Sequence, residues 1–73
     1  MSVCYNKLWK LLIDHKMKKK DLSALAGLSR TTMAKLGRDE HVSTESISKI
    51  CRALKVDIGD VMEVVLEENQ EER

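Results

Sequence analysis

The segment DLSALAGLSRTTMAKL, residues 21–36, decides how this chain is read. Its first half spaces Leu22, Leu25 and Ala26 as the inner face of a helix from about Lys19 and stops at Gly27, which takes a positive φ without steric penalty. Ser29 follows two residues later, a hydroxyl placed to accept a hydrogen bond from a free amide in the first turn of a second helix. That helix is expected over residues 30–36, ending at Gly37. Leu28, Met33 and Leu36 point inward, which leaves Arg30, Thr31, Ala34 and Lys35 on the outer side. Two helices therefore meet across a short glycine turn, and the free face of the second is polar and positive.

Working outward, the charge of the whole chain is polarised around this segment. The formal net charge is only +1, but residues 1–38 carry nine Lys or Arg against two acids, a net +7. Residues 39–73 carry four against ten, a net −6. A basic half is suited to a polyanion, and an acidic half faces away from it or limits non-specific association. The lysine run in KMKKK, residues 16–20, contributes most to the basic pole, although such runs are also common on plain solvated faces.

At 73 residues the chain is one domain, and a domain this small buries only about 60% of the surface its unfolded chain exposes. An elaborate catalytic cleft has little room. Proline is absent and glycine occurs three times, so helices punctuated by glycine are expected throughout. A first helix runs from about Asn6, its candidate cap, to His15, with Leu8, Leu12 and either Trp9 or Ile13 as its stripe. Ser43 caps a fourth helix in which Ile47, Ile50, Cys51 and Leu54 repeat at i, i+3, i+4, i+7. Asp57, with Asp60 three residues on, caps a fifth that buries Ile58, Val61, Met62 and Val65. SVCY and EVVLE have some strand character, but no terminal pairing is assigned. The reading is an all-α, compact five-helix bundle: a domain over residues 1–66 and an acidic, flexible tail over residues 67–73.

The helix, glycine turn and helix of residues 19–36, with two supporting helices downstream and the basic pole on the same half, resemble the helix-turn-helix of the Cro/C1 repressor family, also called the Xre family. The likeness spans about residues 5–65 and implies the lambda-repressor-like fold and a sequence-specific, double-stranded-DNA-binding transcriptional regulator. In that family the second motif helix, here residues 30–36, enters the major groove with its first residues at base edges. Carried onto this chain, Arg30, Thr31 and Lys35 are the expected base contacts, Arg30 foremost because a guanidinium donates two hydrogen bonds to guanine O6 and N7. Lys18, Lys19, Ser29, Thr32 and Arg38 fall at positions that hold phosphates and set register. The chain departs from the family in three places: Lys18 replaces a Ser or Thr cap, Ser23 replaces a small alanine, and LGRDEHVS follows the second helix with a glycine directly after Leu36.

Other chemistry is poorly supported. His15 and His41 have no partners at metal-ligand spacing, and Cys4 and Cys51 form neither a disulfide framework nor a paired-cysteine metal motif. Cys51, on the apolar face of its helix, reads as a buried thiol. No glycine-rich phosphate loop or buried carboxylate pair is present, so the chain is read as a non-enzyme without cofactor or small-molecule ligand. No apolar run reaches membrane-span length, and the amino terminus lacks a signal-peptide pattern, so a cytoplasmic location is expected. One motif reads a half-site, so a two-fold homodimer on a palindrome or tandem binding is expected, with Val64 and Leu66 as candidate self-association contacts. The rival reading is a protein-interaction module, antitoxin-like or regulator-modulating, that keeps the fold and uses the acidic half. Single-strand RNA binding by stacking is disfavoured because Tyr5 and Trp9 are the only aromatic residues.

Overall fold

The computed structural model describes residues 2–66. In chain order these form strand β1 (Ser2–Cys4), helices α1 (Asn6–Asp14), α2 (Lys19–Ala26), α3 (Arg30–Gly37) and α4 (Thr44–Leu54), a single 3-10 turn (Ile58–Asp60) and strand β2 (Glu63–Val65). The described residues are thus mostly helical, with four α-helices and a small sheet in place of the expected five helices. The tail expected over residues 67–73 lies outside the described residues.

The missing fifth helix has a physical cause. Asp57 does cap the segment, its carboxylate accepting from the Ile58 amide at 2.7 Å while Asp60 accepts from the Asp57 amide at 3.1 Å. Gly59 and the β-branched Val64 and Val65 then favour chain extension over helix propagation. An unpaired strand is available at the amino terminus, and β1 and β2 pair antiparallel in the register Ser2 with Val65, Val3 with Val64 and Cys4 with Glu63. The terminal pairing left unassigned from sequence is formed. Of the apolar stripe assigned to a fifth helix, Val61 is fully buried and Met62 partly so, whereas Ile58 and Val65 are exposed.

Among the described residues, ten aliphatic side chains and Tyr5 make the core: Val3, Leu8, Leu12, Leu22, Leu28, Leu36, Ile47, Ile50, Leu54 and Val61. Every helix contributes, and helices as short as these, Arg30–Gly37 among them, are marginal in isolation and rely on the stripe they bury. One expectation for these stripes is corrected and one open alternative is settled. Leu25 is 59% exposed, because α2 turns Leu22 and Ala26 toward the core and Leu25 to the flank. Ile13 is 73% exposed, and Trp9 with Leu11 takes the partly buried positions beside Leu8 and Leu12. The Cys51 thiol lies at the edge of the core, partly exposed.

Helix ends follow local chemistry. Asn6 is the first residue of α1 and not its cap; Tyr5 precedes the helix, and its carbonyl accepts from the Leu8 and Trp9 amides. Ser43 caps α4, accepting from the Ser46 amide at 3.1 Å. Lys7 reaches from α1 to the Gly59 carbonyl at 3.1 Å and to Glu63 at 3.9 Å, which ties the 3-10 turn and β2 to the first helix. Among the described residues no helix is long and apolar enough to cross a membrane.

Candidate nucleic-acid interface

The turn between α2 and α3 is built from short-range hydrogen bonds. Gly27 adopts φ +69° and ψ +43°, the left-handed conformation that ends α2, and its amide donates to the Ser23 carbonyl. The Leu28 amide donates to the same carbonyl at 3.0 Å. The Ser23 hydroxyl then donates to the Leu28 carbonyl at 3.0 Å, closing the turn from the other side. From sequence, Ser23 is only a departure from the family's small alanine. Its hydroxyl in fact satisfies the carbonyl that the turn leaves without a helical partner.

Lys18 precedes α2 in extended backbone, and its side chain has no acceptor with which to cap. Part of the loss is made good from inside the helix: the Asp21 carboxylate accepts from the Lys18 amide at 2.9 Å and places a negative charge at the positive end of the helix dipole. Ser29 caps α3 as expected, accepting from the Thr32 amide at 3.1 Å and donating to the Thr32 hydroxyl at 3.1 Å.

α3 is fastened by Leu36, which is fully buried, with Leu28 buried just ahead of it and Met33 packed at the core's edge. With about 100° of rotation per residue, Arg30, Ala34, Thr31 and Lys35 fall within an arc of about 140° on the opposite side. All four are exposed. Among the described residues neither Arg30 nor Lys35 is in an ion pair. Lys18, Lys19 and Lys20, also exposed, extend this positive face along the start of α2. Lys19, Lys20, Ser23 and Ala24 from α2, with Arg30 and Met33 from α3, line an open groove of about 460 Å³ between the two helices.

Arg38 sits differently from the other expected phosphate contacts. Its Nε lies 2.9 Å from Glu40 Oε2 and its Nη2 3.5 Å from Oε1, a forked contact across the exit of α3. The hydrogen bonds from Arg38 hold the Glu40 carboxyl below its ordinary range, with the Lys35 charge adding to the effect. The sequence places Arg38 and Glu40 two apart but carries no signal for the backbone turn that faces them; Asp39, between them, takes φ +56°. Sequence reading also missed Trp9, over whose ring the Lys19 ammonium lies at 4.6 Å from the centroid.

A family model described as a Cro/C1-type HTH DNA-binding domain matches residues 7–67, most of the chain. Among solved structures, the crystal structure of the transcriptional regulator VanUg, Form II, is similar at 50% sequence identity and a TM-score of 0.87, covering 90% of this chain and 88% of that one. No curated relative matches the chain. The glycine turn, the capped second helix with its positive outer face and the family match agree: this chain belongs to the Cro/C1-type helix-turn-helix DNA-binding family.

Proposed function

We propose that the protein is a sequence-specific transcriptional regulator of double-stranded DNA that acts in the cytoplasm and lays α3 in the major groove. The observation that carries this reading is the division of α3 into two faces. Leu36 and Met33 anchor one side, and Arg30, Thr31 and Lys35 project from the other, neither cation in an ion pair among the described residues. Arg30 then pairs with a guanine through O6 and N7, Thr31 meets an adjacent base by its hydroxyl or methyl, and Lys35 reads one turn further along. Lys18, Lys19, Ser29, Thr32 and Arg38 hold phosphates on either side and set the register. VanUg, described as a transcriptional regulator, supports the assignment at 50% identity.

One domain reads half a site, so the regulator acts as a two-fold dimer on a palindromic operator. Val64 and Leu66, 57% and 71% exposed at the end of β2, are the apolar residues on offer for that contact.

Footprinting on the DNA flanking its own gene tests the assignment, because it returns site, half-site spacing and stoichiometry together. Affinity is expected to fall steeply with salt, and Arg30→Ala to relax preference at one base pair by about 1–3 kcal/mol. Binding that ignores salt, or an Arg30→Ala variant with unchanged preference, overturns it in favour of a protein-interaction module on the same fold.

A further inference from the structure

We infer that Trp9 is a positioning residue for DNA-backbone recognition: its ring holds the Lys19 ammonium at the junction of α1, α2 and α3. The inference rests on the reading of Lys19 as a phosphate contact and adds to it a residue from outside the helix-turn-helix motif.

Three observations converge on the Lys19 side chain. Lys19 Nζ lies 4.6 Å from the centroid of the Trp9 ring, close enough for a cation–π attraction. A Cβ placed on Gly37, the last residue of α3, would stand 4.0 Å from the same Nζ, so the ammonium also borders the end of that helix. Lys19 lines the groove that Arg30 shares from the start of α3. Trp9 itself is partly buried and packed on the core, so its ring is a fixed surface and not a second mobile arm.

A lysine has four rotatable bonds, and a phosphate contact made from a freely moving ammonium loses that freedom on binding. Resting on Trp9 removes part of that loss in advance. The partner is also uncharged, unlike the Glu40 carboxylate that engages Arg38, so the full positive charge of Lys19 stays available to a phosphate. Lys18 and Lys20 lie on the same exposed stretch, and among the described residues neither has such a contact. Trp9 thereby distinguishes one lysine of the run as the backbone clamp beside α3.

The test is a double-mutant cycle on the full chain, with affinity for a short mixed-sequence DNA duplex measured across a salt series. Trp9→Leu is expected to weaken binding about two- to fivefold, and Trp9→Phe by less, since phenylalanine keeps a weaker π face. Lys19→Ala should weaken binding and lower the salt slope by about one. In the Lys19→Ala background, Trp9→Leu should have no further effect, whereas its effect should multiply with that of Lys20→Ala.

An equal loss from Trp9→Leu with and without Lys19 overturns the inference and leaves Lys19 as a phosphate contact. A Lys19→Ala variant with unchanged affinity and slope removes both. Should Trp9→Leu fail to fold, Trp9→Phe closes the same cycle, and the emission of Trp9, the sole tryptophan, supplies a second readout. It should shift in Lys19→Ala and on adding DNA to the unmodified chain; unchanged emission in both overturns the contact.

Discussion

The phenol of Tyr5 donates a 2.8 Å hydrogen bond to the main-chain carbonyl of Glu40. The backbone amide of Tyr5 donates to the Asp39 carboxylate at 3.1 Å, so two bonds join the entrance of α1 to the loop leaving α3. Tyr5 is almost wholly buried, which turns this contact into a clamp on the far end of the helix proposed to read DNA. Tyr5→Phe keeps the packing and leaves the Glu40 carbonyl short of a donor. The expected loss is about 1 kcal/mol, read as a fall in melting temperature of roughly 4–8 °C for a domain of this size.

The same tyrosine makes part of the stability depend on pH at the alkaline end. Burial pushes its phenol above the ordinary 10.0, and the Asp39 charge pushes it further. The Cys51 thiol is raised above its ordinary 9.0 by burial, then by Asp57 and Asp60. A raised value means that the folded chain holds its proton more tightly than the unfolded chain. Stability from these groups is therefore complete below about pH 9 and declines as pH climbs through the folded values. Denaturation midpoints against pH should show this descending limb, and Tyr5→Phe should flatten its upper part while lowering the plateau at neutral pH.

Two glycines, one in the turn before the proposed recognition helix and one at its last position, should respond to alanine in opposite directions. A Cβ at Gly27 meets nothing within 4 Å, but its φ of +69° penalises any L side chain, so Gly27→Ala should cost about 1–2 kcal/mol and disturb the α2–α3 turn. Gly37 is helical, and its nearest neighbour, Lys19 Nζ at 4.0 Å, is in ordinary contact. Gly37→Ala should stabilise by about 0.4–1 kcal/mol. Thermal melts of the two variants side by side decide the matter, and equal effects would contradict this account.

If Arg38 holds a phosphate as proposed, Glu40 competes for it. Releasing the forked pair with Glu40→Gln should raise DNA affinity by up to about fivefold and steepen its salt dependence, because Arg38 then contributes its charge without first giving up a carboxylate. Both side chains are well exposed, so stability should hardly change. A salt titration of the variant beside the unmodified chain measures it; equal or weaker binding would show that Arg38 does not reach the DNA backbone.

What was legible in the sequence is what short-range chemistry decides. Gly27 ending α2, Ser29 and Ser43 capping α3 and α4, and Leu28 and Leu36 facing inward all rest on hydrogen bonds or spacings within one or two turns. The same local rules put Arg30, Thr31 and Lys35 on one exposed face, and the residues carrying that pattern led to the family that the comparison then showed. Those rules misjudged residues 57–65, since an apolar residue every third or fourth place is equally compatible with a 3-10 turn running into a strand. Tertiary structure alone decided that segment. β2 needs hydrogen-bond partners, and these come from β1, about 60 residues earlier in the chain. Long-range placement also exposed Leu25 and Ile13, brought Trp9 of α1 under Lys19 of α2, and bound Tyr5 to the loop after α3. The sequence by itself thus determined α3 and its free face; packing between distant segments determined how that helix is braced and which cations around it are held in place.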